Sequence, residues 1–120
     1  MPEYNAGVPI YLQITADIQR MIVSGNWPPG ERIPSVRELA LRFQVNPNTM
    51  QRALAELERE GLVYTERTAG RFVTDDGKRI AELRQKTARQ ALHDLFCQLS
   101  LLGYRKEEIL ELLKEWRPEE

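Results

Sequence analysis

The sequence predicts a mainly α-helical protein with one small β-hairpin. Apolar residues recur at helical spacing in five segments, and two β-prone runs flank a short charged turn. With 42% hydrophobic and 29% charged residues in a chain of 120, the composition is typical of a folded globular protein and excludes a disordered one. No apolar stretch approaches the roughly 20 residues of a membrane-spanning helix, and the amino terminus does not resemble a signal peptide. We therefore expect a cytoplasmic protein.

The first predicted helix covers residues 9–25. Isoleucine occurs in it four times at intervals of four residues, which predicts one apolar face: Ile10, Ile14, Ile18 and Ile22. The run Asn-Trp-Pro-Pro-Gly at residues 26–30 then ends the helix, because proline cannot continue it. Residues 31–33 are too few for anything except a turn or an edge strand.

Two short helices follow, joined by a tight turn. Ser35 and Glu38 predict a capping box at the start of the second helix, whose apolar periodicity continues to Phe43. Asn46 is a preferred N-cap residue and Pro47 suits the first helical position, so the third helix begins at Pro47. The apolar face of the third helix consists of Met50, Ala53, Leu54 and Leu57.

Residues 62–65 and 72–74 predict the two strands of a hairpin with a charged tip. A helix, then two helices joined by a tight turn, then a hairpin make up a winged helix-turn-helix, in which the hairpin is the wing. We therefore predict a winged helix-turn-helix DNA-binding domain over residues 1–76.

Polar and basic residues occupy the surfaces of this domain that would face double-stranded DNA. With its apolar face buried, the third helix presents side chains in its first two turns that can read base edges, whereas its acidic second half would repel phosphates. The start of the second helix suits a phosphate, because helix amino ends are positive. The predicted DNA-contacting residues are Ser35, Arg37, Asn48, Thr49, Gln51, Arg52, Arg67, Thr68, Gly70 and Arg71.

The ordered motifs of the first 74 residues resemble the GntR family of bacterial transcription regulators. They are PIY at residues 9–11, GERIPSVRELA at residues 30–40, VNPNTMQRAL at residues 45–54 and EGL at residues 60–62. A series of motifs in this order is more specific than a single helix-turn-helix. The Asn-Pro-Asn-Thr turn and the short helical tail resemble the YtrA-like subfamily in particular.

This resemblance implies a sequence-specific DNA-binding regulator, more commonly a repressor, and it implies operator contacts by Arg37, by the first turn of the third helix and by the wing around Gly70. The YtrA-like resemblance implies a homodimer and suggests ABC transporter genes as targets. The chain departs from the family pattern at Pro47, where many members carry arginine or serine, and at the wing tip, where Thr-Ala-Gly replaces the commoner Gly-x-Gly.

Residues 77–120 predict a helical dimerisation segment with helices over 79–102 and 106–116, too short to enclose an effector ligand by themselves. The apolar stripe of the longer helix would be exposed in a monomer, so we expect it to pack against its symmetry mate and to space two recognition helices for a two-fold operator. The alternative is that this segment folds back on its own winged domain. The predicted dimer contacts are Leu92, Leu95, Phe96 and Leu99.

The sequence offers little for catalysis or metal binding. His93 is the single histidine and has no metal-ligand pattern around it, so we expect neither a metal nor another cofactor. We expect Cys97, the single cysteine, to be an inert core thiol. The chain lacks a nucleophile paired with a base and lacks a phosphate-binding loop, so we expect no enzyme. The alternative function is a winged helix that binds another protein.

The formal net charge of −1, from 17 Lys and Arg against 18 Asp and Glu, is by itself unfavourable for a nucleic-acid partner. Position along the chain changes that conclusion. Residues 32–52 contain four arginines and one acidic residue, whereas acidic residues gather at 56–60 and in the carboxy-terminal segment. The near-zero total is therefore an average over surfaces of opposite charge, and it predicts selective rather than indiscriminate DNA binding.

Overall fold

The computed structural model describes residue 4 and residues 6–119. In this part of the chain, an antiparallel hairpin separates three amino-terminal helices from two carboxy-terminal helices, so the predicted fold class is confirmed. None of the helices in it is long and apolar enough to cross a membrane. The elements are α1 (Ile10–Val23), α2 (Val36–Phe43), α3 (Pro47–Arg59), β1 (Val63–Glu66), β2 (Gly70–Val73), α4 (Gly77–Leu101) and α5 (Lys106–Glu115).

The core of the winged domain lies between α1, α2, α3 and the hairpin. The predicted apolar face of α3 is fully buried, and Ile14, Ile18 and Ile22 of α1 are buried with it. Ile10 is 43% exposed, so the prediction that it shares this buried face is wrong: it is the first residue of α1 and lies at the edge of the core. The other core residues are Ile33, Leu39, Ala40, Phe43, Leu62, Val63 and Val73.

The helix ends that flank the turn between α2 and α3 are fixed by local hydrogen bonds. Asn46 Oδ1 accepts from the backbone N–H of Asn48 at 2.8 Å, which confirms the predicted N-cap of α3. Ser35 Oγ accepts from the N–H of Glu38 at 3.2 Å, but the carboxylate of Glu38 binds Arg42 at 2.6 Å, so the predicted capping box is half formed. Gln44 ends α2 with a left-handed φ of 56°, a conformation that the sequence did not predict because glycine usually supplies it.

Residue 4 is attached to the end of α2. The hydroxyl of Tyr4 donates to the carbonyl oxygen of Phe43 at 2.7 Å. Burial, together with the negative charge of Asp17, raises the pKa of Tyr4 above its usual value, so the phenol stays protonated and keeps donating well into the alkaline range.

A third, very short strand ties the wing to the start of α2. Gly30 N–H donates to Val73 O at 3.0 Å, Val73 N–H donates to Glu31 O at 2.8 Å, and Ile33 N–H donates to Arg71 O at 2.9 Å. Of the two predicted possibilities for residues 31–33, a turn or an edge strand, the structure has the edge strand, reduced to a single bridge in which Arg32 lies opposite Phe72 on β2.

The described chain divides into two compact units between Leu83 and Arg84, inside α4. Ile80 and Leu83 pack against the core of the first unit, which therefore extends beyond residue 76. In the second unit Ile109 of α5 is buried, whereas many of the other apolar side chains remain exposed. The prediction of a core Cys97 is wrong: its thiol is exposed and lies 3.5 Å from the Nε2 of His93.

We expect Asn46→Ala to lower the free energy of unfolding by about 1 kcal/mol, because the amide of Asn48 loses its acceptor at the amino end of α3. Urea denaturation followed by circular dichroism measures the change. Gln85→Ala, at an exposed position of α4, is the control and should change stability by less than about 0.5 kcal/mol. Equal effects of the two substitutions would show that the Asn46 cap does not stabilise α3.

Candidate nucleic-acid interface

The amino end of α2 presents a hydroxyl and a guanidinium on the surface. Ser35 is exposed, and its Oγ is fixed by the N–H of Glu38. Arg37, in the first turn, is exposed and forms no ion pair with any residue that the structure describes. The unpaired N–H groups of a helix start add partial positive charge, so this end of α2 suits a phosphate oxygen.

The first two turns of α3 expose most of the side chains that were expected to read DNA bases. Because Met50, Ala53 and Leu54 are completely buried, the residues between them point away from the core. Asn48 and Gln51 are exposed and can offer amide donors and acceptors to base edges. Thr49 is half-buried, which restricts it to the margin of this surface.

Arg52 is exposed, but its position is set by an aromatic ring on another helix. Its guanidinium carbon lies 4.0 Å from the centre of the Tyr11 ring of α1, in a cation–π contact. This contact fixes the direction of a long and otherwise flexible side chain. Arg52 therefore lies on the side of α3 that faces α1, rather than on the face directly opposite the core.

The acidic second half of α3 is occupied by contacts within the protein. Glu56 binds Arg59, and this hydrogen bond with a carboxylate raises the pKa of Arg59. Glu60 Oε1 accepts from the side chain of Gln19 at 2.8 Å. The third carboxylate, Glu58, accepts from the hydroxyl of Thr65 on β1 at 2.7 Å. The charge that would repel DNA is thus partly neutralised and points toward α1 and the wing.

The wing consists of β1 and β2, which pair over four residues each, and of the exposed turn that joins them. Arg67 and Thr68 lie in the turn and are exposed, and Gly70 has a φ of +109° that favours glycine. Arg71 differs from Arg67, because its side chain is 22% exposed and its Nε lies 3.7 Å from the Glu58 carboxylate. This Nε is buried and has no hydrogen-bond partner among the residues that the structure describes.

The structure brings some of the expected DNA-contacting residues together and leaves others apart. One cleft is lined by Ser35 and by all of the expected wing residues, with Arg32 between them. Arg37 does not line this cleft, and neither do the expected residues of α3. The candidate interface therefore has three parts: the cleft beside the wing, the exposed Arg37 in the first turn of α2, and the exposed side of α3.

Charge pairing separates the arginines of residues 6–83 into two groups. Five of the nine have a carboxylate within 4.0 Å: Arg20, Arg42, Arg59, Arg71 and Arg79. The other four form no ion pair with any described residue: Arg32, Arg37, Arg52 and Arg67. Three of them lie on elements that were expected to face DNA, namely α2, α3 and the wing tip, and the fourth, Arg32, lies on the third strand beside the wing.

Comparison with known proteins agrees with this arrangement. A family model described as bacterial regulatory proteins of the gntR family matches residues 10–73. The chain belongs to the GntR family. The HTH-type transcriptional regulator YhcF of Bacillus subtilis is 41% identical over 112 residues, which are 93% of this chain and 93% of YhcF. The HTH-type transcriptional repressor YtrA of Bacillus subtilis is 34% identical over 112 residues, which are 92% of this chain and 86% of YtrA.

Solved structures extend the comparison to the fold and to DNA. A GntR family transcriptional regulator from Listeria monocytogenes matches with a TM-score of 0.85 at 39% identity, over 95% of this chain and 100% of that chain. The DNA-binding domain of AraR, in a crystal structure with an operator, matches with a TM-score of 0.54 at 31% identity, over 62% of this chain and 87% of that chain. The GntR protein described here is thus a transcriptional regulator with a DNA-binding winged helix-turn-helix, of the YtrA-like subfamily.

Two residues of the site were missed when the sequence was considered alone. Tyr11 lies against the core, and its ring also contacts the guanidinium of Arg52. Arg32 was counted as a charge and not as a site residue. The alternation of side chains along an edge strand could have identified Arg32, because it places this residue on the same face as Phe72.

We expect Tyr11→Leu and Arg52→Gln to be coupled in a double-mutant cycle, with an interaction free energy of about 0.5–1 kcal/mol from urea unfolding. Tyr11→Phe keeps the ring face and should preserve the coupling to Arg52. Tyr11→Leu combined with Arg37→Gln is the control and should be additive. An additive Tyr11–Arg52 cycle would show that the cation–π pair contributes nothing to stability.

Proposed function

We propose that this GntR protein represses transcription as a homodimer that binds a two-fold DNA operator. One observation carries the proposal: the unpaired arginines of the winged domain all lie on the elements of one candidate interface. Exposed cations without a carboxylate partner remain available to phosphates, and neutralised phosphates release the counterions that drive protein–DNA association.

Different side chains would contact different parts of the DNA, according to their chemistry. Arg37, with Ser35 beside it, suits the phosphate backbone at the amino end of α2. Asn48 and Gln51 suit base edges in the major groove, because an amide can donate and accept at once. Arg52, held over Tyr11, would enter with the same turns of α3. The acidic second half of α3 limits how far the helix can insert, so the amino end goes first.

The exposed apolar surface of the second unit supports dimerisation. Leu92 is 53% exposed, Leu101 88% and Trp116 67%, and so many exposed large apolar side chains in a short segment favour an interaction with another chain. Leu95, Phe96 and Leu99 are half-buried on the same helix. A parallel copy of the segment would cover this stripe and would place two winged domains on one operator.

We assign DNA binding to residues 1–76 and dimerisation to residues 77–120. Repression is supported by the relative YtrA, whose name describes a transcriptional repressor. The YtrA-like resemblance also suggests that the regulated genes encode an ABC transporter. Access to chromosomal DNA requires the protein to work in the cytoplasm.

Selection of bound duplexes from a random DNA pool tests the proposal directly. We expect a two-fold consensus with half-sites about 10 base pairs apart, or a multiple of that spacing, and a promoter carrying the consensus should be silenced by the protein in a reporter strain. Recovery of no enriched sequence, together with no retention of duplex DNA at low salt, would favour a protein-interaction module instead.

We expect Arg37→Ala to weaken binding about tenfold for every duplex tested, because a phosphate-binding side chain carries no sequence information. The slope of log affinity against log salt should fall by about 0.9 for each phosphate that the variant no longer neutralises, measured by fluorescence anisotropy. Arg20→Ala, which removes a guanidinium paired with Asp17, is the control and should leave the slope unchanged. Unaltered binding by Arg37→Ala would contradict the assigned role.

We expect Leu95→Asp combined with Leu99→Asp to give monomers that bind a half-site weakly, because two carboxylates cannot be buried in an apolar interface. Light scattering measures the mass. His93→Asp with Cys97→Asp is the matched control, since it adds the same charges two residues earlier, on the opposite side of α4. A dimeric Leu95/Leu99 variant would exclude this stripe of α4 as the interface.

A further inference from the structure

Arg32 occupies an unusual position beside the wing. Its backbone pairs with β2 opposite Phe72, and Phe72 in turn stacks on Tyr64 of β1 with ring centres 5.6 Å apart. Opposed residues of paired strands share a face of the sheet, so the side chain of Arg32 starts on the face of these two rings. From there it reaches the residue that follows the turn of the wing.

The guanidinium of Arg32 lies directly against Gly70. A Cβ atom added to Gly70 would be 2.9 Å from Nε of Arg32 and 3.3 Å from its Nη2, which is too close for the guanidinium to stay in place. Gly70 also has the left-handed φ of +109°, which side chains with a Cβ rarely adopt. Gly70 therefore provides both the backbone turn and the flat surface on which the guanidinium rests.

The same guanidinium borders a cleft that has the charge and size for an anionic group. The cleft holds about 370 Å³ and is lined by residues of the start of α2 and of the wing, among them Ser35 and Arg67. Arg71 contributes to its lining but is held by Glu58, and Glu66 is the acidic residue of the lining. Arg32 makes neither an ion pair nor a side-chain hydrogen bond with the residues that the structure describes, so its five N–H donors are available.

We propose that Arg32 binds a backbone phosphate of the operator in this cleft and, through its contact with Gly70, sets the position of the wing tip. A guanidinium supported on one flat face can still present its N–H edge to two phosphate oxygens at once, which an ammonium cannot do. The phosphate would then sit between Arg32 and Ser35 and connect the wing with the start of α2. This inference rests on the proposed DNA-binding function and adds to it a phosphate-binding residue at position 32.

The first experiment compares Arg32→Gln with the wild type on two probes: a duplex of about 40 base pairs recovered by the selection, long enough for two half-sites, and a shuffled duplex of equal length. We expect Arg32→Gln to lose roughly tenfold in affinity on both and to lower the salt slope by about 0.9 per phosphate. Arg32→Lys should recover only part of the affinity, because lysine lacks the bidentate geometry. Arg20→Gln is the control of equal charge change and should match the wild type.

The second experiment tests the contact with Gly70. Gly70→Ala should weaken binding strongly when Arg32 is present and much less in the Arg32→Gln background, because the added methyl group then displaces nothing that binds DNA. Alanine introduces the same backbone strain at residue 70 in both backgrounds. Comparing the effect of Gly70→Ala in the two backgrounds therefore removes the contribution of that strain. Circular dichroism melts of all variants ensure that the comparison is between folded proteins.

The outcomes separate this inference from the proposed function. If the wild-type protein binds neither duplex at low salt, the DNA-binding function itself is wrong. If the wild type binds and Arg32→Gln keeps the same affinity and salt slope, residue 32 does not contact phosphate. If Arg32→Gln weakens binding but the effects of Gly70→Ala and Arg32→Gln are additive, Arg32 does not act on the wing, and the positioning part of the inference is overturned.

Discussion

Three backbone hydrogen bonds between residues 30–33 and β2 hold the candidate interface in place. Without them, the segment that joins α1 to α2 and the hairpin would have no backbone hydrogen bonds to each other. Because the third strand leads directly into the N-cap of α2, pairing it with β2 also places Ser35 beside the wing. The cleft, the contact between Arg32 and Gly70, and the direction from which α2 can meet a phosphate all depend on this short ladder.

Electrostatics in the winged domain depends on which charges have partners rather than on how many there are. Surface ion pairs contribute little to stability, so pairing five arginines with carboxylates changes the folded state only slightly. This pairing does change the electrostatic field outside the protein, because the paired guanidinium groups are neutralised locally and the unpaired ones are not. A chain whose net charge is −1 can thereby present a positive surface on one side. The proposed operator binding would then be selective, since an acidic remainder of the surface would repel nucleic acid.

Features that depend on residues close together in the chain could be predicted from the sequence, whereas contacts between distant segments could not. The order of elements, the cap at Asn46 and the buried face of α3 follow from helical spacing and side-chain chemistry within a few positions. The left-handed Gln44 was not predictable, because its conformation is imposed by packing of the helix-turn-helix rather than by glycine. The contacts of Arg32 with the wing and of Arg52 with Tyr11 join segments far apart in the chain. The exposure of Cys97 was not predicted, because the spacing of apolar residues along α4 does not show whether another part of the same chain covers them.

Glu58 connects the recognition helix to both strands of the wing, accepting from Thr65 on β1 and pairing with Arg71 on β2. Because α3 and the hairpin are joined in this way, they would move together on DNA. A rotation of α3 in the major groove would carry the hairpin along the DNA backbone. If α3 reads bases as proposed, its base preference would be altered more easily by exchanging exposed side chains than by changing the docking angle. The carboxylate holds Arg71 close to α3, whereas Arg67 at the wing tip has no carboxylate partner among the described residues.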